Sequence, residues 1–367
     1  MKRKRYRFVV VCLVLVVIML GACQKNKKKE NDDKSGKKDG ILIGFSFDSF
    51  SVERWKKDCD VFVSKIKDYD SSAEVNVQNA NGSKKKQESQ IQYLIDKKVD
   101  VLVIVSIDSE SIKNVVKKAK KAGIKVIAYD RRIKDVDVDL YISFDNYEVG
   151  RKMGKALYGS GLKHKKVMML LGPNEDDNVS RVEKGFRSVM EKNGIEICDC
   201  YNVEGWNPED AANHLFELYE NNHNVFDDID GIMCGNDAIV TGAVNELAEH
   251  QIGENIKFVG QDAELEACQR IVNGTQLMTV YKPVGKLAEE AAKYAIKMAK
   301  GEECNIPMEK DDELGEDEKR ILLETIAVDK TNIDSEIIDS GFHLKQDVYM
   351  YSSEDEIITE KSIKNGN

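Results

Sequence analysis

The sequence has 367 residues, of which 41% are hydrophobic and 33% are charged, and its formal net charge at pH 7 is −10. A chain of this length exceeds the usual size of a single hydrophobic core, so we expect two lobes. The acidic balance argues against nucleic acid as a partner, because phosphate backbones attract basic surfaces.

The first 22 residues have the pattern of an export signal. Five basic residues within positions 1–7 precede an almost wholly apolar run at 8–20, and small residues follow. These are the three parts of a secretory signal peptide. We predict that residues 1–22 are a signal peptide, and an uncleaved membrane anchor is the alternative.

The end of this segment, Leu20-Gly21-Ala22-Cys23, resembles a bacterial lipobox. This resemblance implies cleavage before Cys23 and lipidation of its thiol. Two or three acyl chains would hold a protein stably at a membrane surface, where a single chain would not. Residues 23–40 are polar and show no periodicity, so we predict a flexible tether above the membrane.

From residue 41 onward, short apolar runs alternate with amphipathic segments. Such alternation is typical of a parallel, doubly wound sheet. The elements predicted first are strands at 41–47, 75–78, 101–105, 126–129 and 141–144, with helices at 52–69, 83–98 and 112–122.

The same alternation starts again after residue 146. The predicted elements are strands at 166–171, 195–203, 230–234, 256–260 and 277–281, with helices at 179–192, 208–221 and 286–300 and two more that begin at 238 and 264. A charged insertion at 309–319, predicted to be a surface loop, precedes a last extended run at 320–328.

The predicted fold class is therefore α/β, with two doubly wound parallel-sheet lobes joined by a hinge. We assign the first lobe to residues 41–145 and 282–302. The second lobe comprises residues 146–281 and 303–350, and residues 351–367 form a polar tail.

Two acidic residues follow successive predicted strands. Asp130 precedes Arg131 after one strand, and Asp145 precedes Asn146 after the next. Ligands of open α/β sheets bind beyond the carboxyl ends of the strands. Carboxylate, amide and guanidinium groups offer the acceptors and donors that a small polar ligand such as a sugar needs. The alternative is that each Asp only caps the following helix.

Motifs of common enzymes and cofactor sites are missing from the sequence. No GxGxxG follows a strand, and GxxxxGK, GxSxG and HExxH do not occur. The sequence therefore predicts a binding protein and no enzyme, with no cofactor and no metal site. The six cysteines beyond Cys23 lack CxxC spacing, so we predict mainly small core residues, although a disulfide among them stays open.

Seven short motifs at predicted strand ends and helix starts carry a family resemblance. They are Glu53-Arg54-Trp55-Lys56-Lys57-Asp58, Gln78-Asn79-Ala80-Asn81-Gly82, Ala128-Tyr129-Asp130-Arg131, Tyr141-Ile142-Ser143-Phe144-Asp145-Asn146, Gly235-Asn236-Asp237-Ala238, Gly260-Gln261-Asp262-Ala263 and Met278-Thr279-Val280-Tyr281-Lys282-Pro283. From about residue 41 to 343 the chain resembles substrate-binding proteins of bacterial sugar ABC transporters, with the ribose-binding, lac-repressor-like fold. More narrowly, it resembles D-xylose-binding proteins.

The resemblance implies a type I periplasmic binding protein that holds an aldopentose, most of all D-xylose, between its lobes and delivers it to an ABC permease. The implied sugar contacts are Arg54, Asp130, Arg131, Asp145, Asn146, Asn236, Asp262 and Lys282, with Trp55 and Trp206 flanking the pyranose ring. An indole offers the weakly apolar C–H face of a sugar a flat surface for stacking.

Simpler roles are open for several of these residues. Trp55 could pack in a core, Trp206 could be a surface anchor before a helix, and Lys282 could be solvated. Asn178 matches a family Asn but could equally cap a helix. Three segments depart from the family pattern, namely 173–177, the region after Trp206 and the insertion at 309–319.

Two other functions use the same fold. The domain could present bound sugar to a membrane histidine kinase or chemoreceptor. A lac-repressor-type regulator is disfavoured, because the N-terminus carries an export signal and no helix-turn-helix.

Overall fold

The structure, a computed structural model, describes residues 40–51, 53–108, 110–310 and 317–352. The predicted signal peptide, the lipidation at Cys23, the tether up to residue 39 and the tail from 353 lie outside the described residues. In these described ranges, no helix is both long enough and apolar enough to cross a membrane.

Thirteen strands are described. They are β1 (Leu42–Phe47), β2 (Glu74–Asn79), β3 (Val101–Ile104), β4 (Lys125–Tyr129), β5 (Leu140–Phe144), β6 (Lys166–Leu171), β7 (Glu196–Asn202), β8 (Gly231–Cys234), β9 (Lys257–Gln261), β10 (Met278–Tyr281), β11 (Met308–Lys310), β12 (Asp317–Leu323) and β13 (Ile326–Val328).

The described α-helices connect these strands. They are α1 (Glu53–Tyr69), α2 (Lys84–Asp96), α3 (Lys113–Lys121), α4 (Asn146–Gly159), α5 (Asp177–Lys192), α6 (Pro208–Asn221), α7 (Asp237–Glu249), α8 (Leu265–Asn273), α9 (Val284–Lys300) and α10 (Lys345–Val348). A short 3₁₀ turn at Glu204–Trp206 precedes α6.

Two mainly parallel sheets confirm the predicted α/β fold class. The first has the order β11-β12-β5-β4-β3-β1-β2, and the second has the order β13-β10-β9-β8-β6-β7. In the first lobe, α1 and α9 pack on one face of the sheet and α2 and α3 on the other. Central strands such as β3 are buried along their whole length, because helices cover both faces.

The end of the chain corrects one predicted boundary. We expected residues 303–350 in the second lobe, but β12 pairs in parallel with β5 and β11 pairs with β12, so both strands extend the first sheet. Only β13 joins the second sheet, antiparallel to β10. The prediction of a surface loop at 309–319 is also wrong for its described residues, because residues 309–310 belong to β11 and residues 317–319 belong to β12.

The single extended run predicted at 320–328 therefore belongs to two sheets. The chain changes lobe between Leu323 and Ile326, where Lys152 donates hydrogen bonds to the carbonyl oxygen and hydroxyl of Thr325 at 2.6 and 2.8 Å. Sequence periodicity cannot reveal this change, because both halves of the run are extended and apolar.

The cysteines divide between core and surface. Cys59, Cys234 and Cys268 are buried as predicted, whereas Cys198 and Cys200 are exposed. The last two lie on β7, an edge strand of the second sheet. All six described cysteines are free thiols.

Helices α4 and α5 approach each other closely at glycines. A Cβ added to Gly185 would lie 2.0 Å from the carbonyl oxygen of Tyr147, and one added to Gly150 would lie 1.9 Å from that of Val182. Because these neighbours are backbone atoms of packed helices, they cannot move aside for an added methyl group as a flexible side chain could.

We expect Gly185→Ala to lower the free energy of unfolding by about 1–3 kcal/mol, the usual effect of overpacking. Gly159→Ala, in the same helix pair, is the matched control, because nothing lies within 4 Å of its added Cβ. Urea unfolding of both variants checks this. Equal stability of Gly185→Ala and the wild type would contradict the proposed close packing.

Candidate functional site

A cavity lies where the carboxyl ends of the two sheets face each other. Eight of the ten predicted binding residues line it. Its lining consists of Arg54, Trp55, Asp130, Arg131, Asp176, Asn178, Trp206, Asn236, Gln261, Asp262 and Lys282.

The strand ends explain why distant residues meet here. Asp130 follows β4, Asn236 follows β8, Asp262 follows β9 and Lys282 follows β10. Parallel strands bring their carboxyl ends to one edge, so residues that follow them converge. Arg54 reaches the same edge from the first turn of α1.

Three of these residues have a backbone conformation that is unusual for L-amino acids. The φ angles of Asp130, Trp206 and Asp262 are +62°, +61° and +92°. Such conformations cost about 1–3 kcal/mol each and cluster at functional sites, where the surrounding structure holds them. The strain therefore supports this cavity as the functional site of the chain.

Asp145 and Asn146 lie outside the set that lines the cavity, so the prediction that they form its wall is not supported. Asp145 caps α4 and accepts a hydrogen bond from the Glu148 amide at 3.0 Å. The physical reason is that β5 leads directly into α4, which orients the carboxylate toward the helix end. The side chain of Asn146 donates to Asn178 at 2.9 Å, behind the cavity wall.

Three further residues complete the lining: Gln261 and Asp176, which were not predicted, and Asn178, which matched a family Asn with helix capping as the alternative. Gln261 ends β9, and its amide donates to the Gly235 carbonyl at 2.5 Å. Asn178 donates to the carbonyl oxygen of Asp130 at 3.1 Å, across the two lobes. Asp176 belongs to the segment that departs from the family pattern, so only its position between β6 and α5 could have indicated it.

Arg54 contacts carboxylates of both lobes. Its guanidinium lies 3.1 Å from Asp130 of its own lobe and 3.8 Å from Asp262 of the other. Lys282 lies 3.6 Å from the same Asp262 oxygen. Burial acts to lower the pKa of Arg54, but the carboxylates, Asp130 first, outweigh it and hold the pKa above its ordinary value.

Arg131 forms a second cluster of charges. It contacts Asp48 at 2.6 Å within the first lobe and Asp176 at 2.8 Å in the second. Burial raises the pKa of Asp176, while the Arg131 charge opposes that rise. Both guanidinium groups of the cavity therefore pair with carboxylates from both lobes.

The two tryptophans differ in their environments. Trp55 is buried in the core of the first lobe, where the Arg54 guanidinium lies 4.3 Å from its ring centroid. Trp206 is half-buried, and its indole lies against Gly172, where an added Cβ would come within 2.3 Å of the ring. Trp55 therefore packs in the core of the first lobe and also lines the cavity.

Several buried polar atoms of the wall have no hydrogen-bond partner among the described residues. They include Trp55 Nε1 and Gln261 Oε1. Unsatisfied buried polar groups are costly, so native sites keep them for a ligand. With carboxylates, amides and cations beside them, they suit a small neutral molecule with several hydroxyl groups. Within the described ranges, no cluster of His, Cys, Asp and Glu could hold a metal.

A further pair of lobe-to-lobe contacts lies beside the cavity. Asp177 at the start of α5 is 2.9 Å from Lys134 and 4.0 Å from Arg132, both of which belong to the first lobe. Arg132 in turn lies 2.9 Å from Glu318 on β12. Two of the three segments that depart from the family pattern, 173–177 and 309–319, thus meet the same arginine.

We expect Lys134→Met to shift the ligand-free protein toward a more open form by about 1 kcal/mol or less, because partly exposed ion pairs contribute that much. Lys113→Met is the matched control. Lys113 has a similar exposure but pairs with Asp135 inside the first lobe. Small-angle X-ray scattering measures the radius of gyration; an equal increase in both variants would contradict a specific effect.

Comparisons with known proteins show which family this chain resembles. The profile of the periplasmic binding protein domain matches residues 43–303. The D-xylose-binding periplasmic protein of Haemophilus influenzae is 39% identical over 317 residues, covering 84% of this chain and 92% of that protein. The D-xylose-binding periplasmic protein of Escherichia coli is 38% identical over 312 residues, covering 84% and 92%.

A solved structure gives the same picture. An ABC transporter solute binding protein from Clostridium phytofermentans, with β-D-glucose bound, superimposes with a TM-score of 0.77 at 28% identity. The match covers 84% of this chain and 99% of that one.

Proposed function

This chain belongs to the periplasmic binding protein family, and we propose that it is an extracytoplasmic receptor that binds a monosaccharide, in the first place D-xylose, between its lobes. The observation that carries the proposal is the cavity itself. It combines charged and amide groups from both lobes with two indole rings around one cavity.

The chemistry of the wall suits a sugar because each hydroxyl both donates and accepts a hydrogen bond. Asp130 and Asp262 can accept, Arg54 and Lys282 can donate, and Gln261 retains an unpartnered oxygen. Hydrogen bonds to charged groups are the stronger kind. The indoles of Trp55 and Trp206 then offer apolar surface to the C–H groups of the ring.

Binding would favour closure of the lobes. Asp130 and Arg131 belong to the first lobe, whereas Asn236 and Asp262 belong to the second. A sugar that bonds to both sets gains its full interaction only when the lobes are together, so it shifts the population toward the closed form. The family relatives named above are binding proteins, and this role requires no chemical step.

D-xylose is the preferred candidate because two relatives named for binding it are 39% and 38% identical to this chain over the aligned 317 and 312 residues. The bound glucose of the similar solved structure supports a pyranose more generally. Delivery to an ABC permease is preferred to presentation to a kinase, since that structure is an ABC transporter solute binding protein.

Trp206→Ala should weaken binding of D-xylose about tenfold or more, equivalent to about 1.4 kcal/mol, since the ring loses its stacking surface. Phe216→Ala is the control, because Phe216 is an exposed aromatic residue on α6 of the same lobe, outside the cavity wall. Isothermal titration with pentoses and hexoses measures both. A heat of binding with a hexose and none with D-xylose would refute the choice of sugar.

We also propose that lipid on Cys23 holds the receptor at the membrane. The support is the sequence Leu20-Gly21-Ala22-Cys23 after an apolar run. Cys23→Ser should move the protein from the detergent phase to the aqueous phase of a Triton X-114 extraction and abolish palmitate labelling. Unchanged partitioning would show that some other segment anchors the chain.

A further inference from the structure

A buried carboxylate lies just behind the cavity wall. Asp58 is completely buried, and it is outside the set of residues that line the cavity. We propose that Asp58, held by Tyr129, is a positioning residue that fixes the guanidinium of Arg54 in the orientation with which it meets the sugar. This inference rests on the proposed function, since it assigns a role within the same binding site.

The positions of the three side chains carry the proposal. Asp58 lies one helical turn after Arg54 on α1, so both point to the same side of the helix. The Arg54 Nε and the Asp58 Oδ2 are 3.6 Å apart. The Tyr129 hydroxyl at the end of β4 donates a short hydrogen bond to the other Asp58 oxygen. The carboxylate is thus fixed from the sheet and faces the arginine from the helix.

Arg54 needs such an anchor because its cavity contacts are uneven. It makes a hydrogen bond to Asp130 at 3.1 Å, whereas its contact to Asp262 of the second lobe is 3.8 Å long. Without Asp58, the guanidinium would keep one carboxylate contact within the first lobe, that to Asp130. Groups that orient a binding side chain from behind determine whether its donors point at the ligand.

The charges around Arg54 show that Asp58 is unfavourable for the ligand-free fold. Two buried carboxylates, those of Asp58 and Asp130, and the partly exposed carboxylate of Asp262 surround two cations, Arg54 and Lys282. A buried ion pair is weak support for stability, because desolvation offsets the attraction. Replacing Asp58 by neutral Asn would leave two carboxylates and two cations.

The protonation of Asp58 agrees with this. Burial raises the pKa of Asp58 to about 6, although Arg54 and the Tyr129 hydroxyl oppose the rise. The groups that face Asp58 are Arg54 on its own helix and Tyr129 and Asp130 at the end of β4. Burial also raises the pKa of Tyr129 well above its ordinary value, so this hydroxyl keeps its proton and remains a donor.

The sign of the pH dependence follows from these values. An unfolded Asp ionises near its ordinary pKa of 3.8, so between pH 4 and 6 the folded chain retains a proton that the unfolded chain has lost. Ionised Asp58 therefore lowers the stability of the fold above pH 6. The same ionised form is the one that attracts Arg54.

The test compares Asp58→Asn with the wild type by titration of D-xylose from pH 5 to 7.5 and by thermal unfolding without sugar. At pH 7.5 we expect the affinity of the variant to be roughly 10-fold lower, a loss of the size caused by removing a group that orients a metal-binding side chain. The affinity ratio should approach one near pH 5, because the protonated Asp58 of the wild type is then neutral, like the Asn of the variant. The melting temperature at pH 7.5 should equal or exceed that of the wild type.

Two further variants sharpen the test. Asp60→Asn lies on the same helix but is exposed, so its affinity and melting temperature should match the wild type at every pH. Tyr129→Phe removes the hydrogen bond that lowers the pKa of Asp58. As the pH is lowered, the sugar affinity of Tyr129→Phe should therefore begin to decline at a higher pH than that of the wild type.

Two results would overturn the proposal. One is an unchanged affinity of Asp58→Asn at pH 7.5. The other is a loss of affinity together with a lower melting temperature, which would indicate a purely structural residue. If the wild type binds no monosaccharide at all, the proposed function fails separately. The Arg54 Nε–H exchange rate, measured by NMR without ligand, then decides: faster exchange in Asp58→Asn supports positioning, and an equal rate refutes it.

Discussion

The arrangement of the two lobes depends on buried opposite charges that meet across the space between them. Arg54 and Arg131 of the first lobe face Asp262 and Asp176 of the second at 3.8 and 2.8 Å. Charges removed from water this way are stable only when paired. The same side chains therefore serve two purposes: they satisfy one another between the lobes, and they form the polar wall of the cavity.

This double use explains why the site retains strain and unsatisfied atoms. Asp130 and Asp262 have left-handed backbone conformations, and buried polar atoms of Trp55 and Gln261 have no partner among the described residues. Each feature costs stability, and a well-packed apolar cavity would avoid them all. A ligand with several hydroxyl groups would satisfy these atoms, so the features that weaken the fold are those that support binding. Asp58 extends this relationship one layer behind the wall.

The segments that depart from the family pattern are part of this architecture. The segment at 173–177 contributes Asp176 to the cavity and Asp177 to the contact with Lys134. The insertion at 309–319 ends in β12, whose Glu318 pairs with Arg132. These two of the three departures therefore lie at the boundary between the lobes, where they can affect closure without altering the residues that share the family motifs.

By itself, the sequence determined the α/β class and most of the cavity wall, because strand-end residues of parallel sheets converge whatever the details of packing. Only the tertiary structure separated the two predicted strand-end acids. Asp130 faces the cavity, but Asp145 caps α4, since β5 leads directly into a helix. Tertiary structure also placed β12 in the first sheet and Asp58 behind Arg54. Pairing partners and the second layer of a site depend on long-range contacts, which local periodicity does not encode.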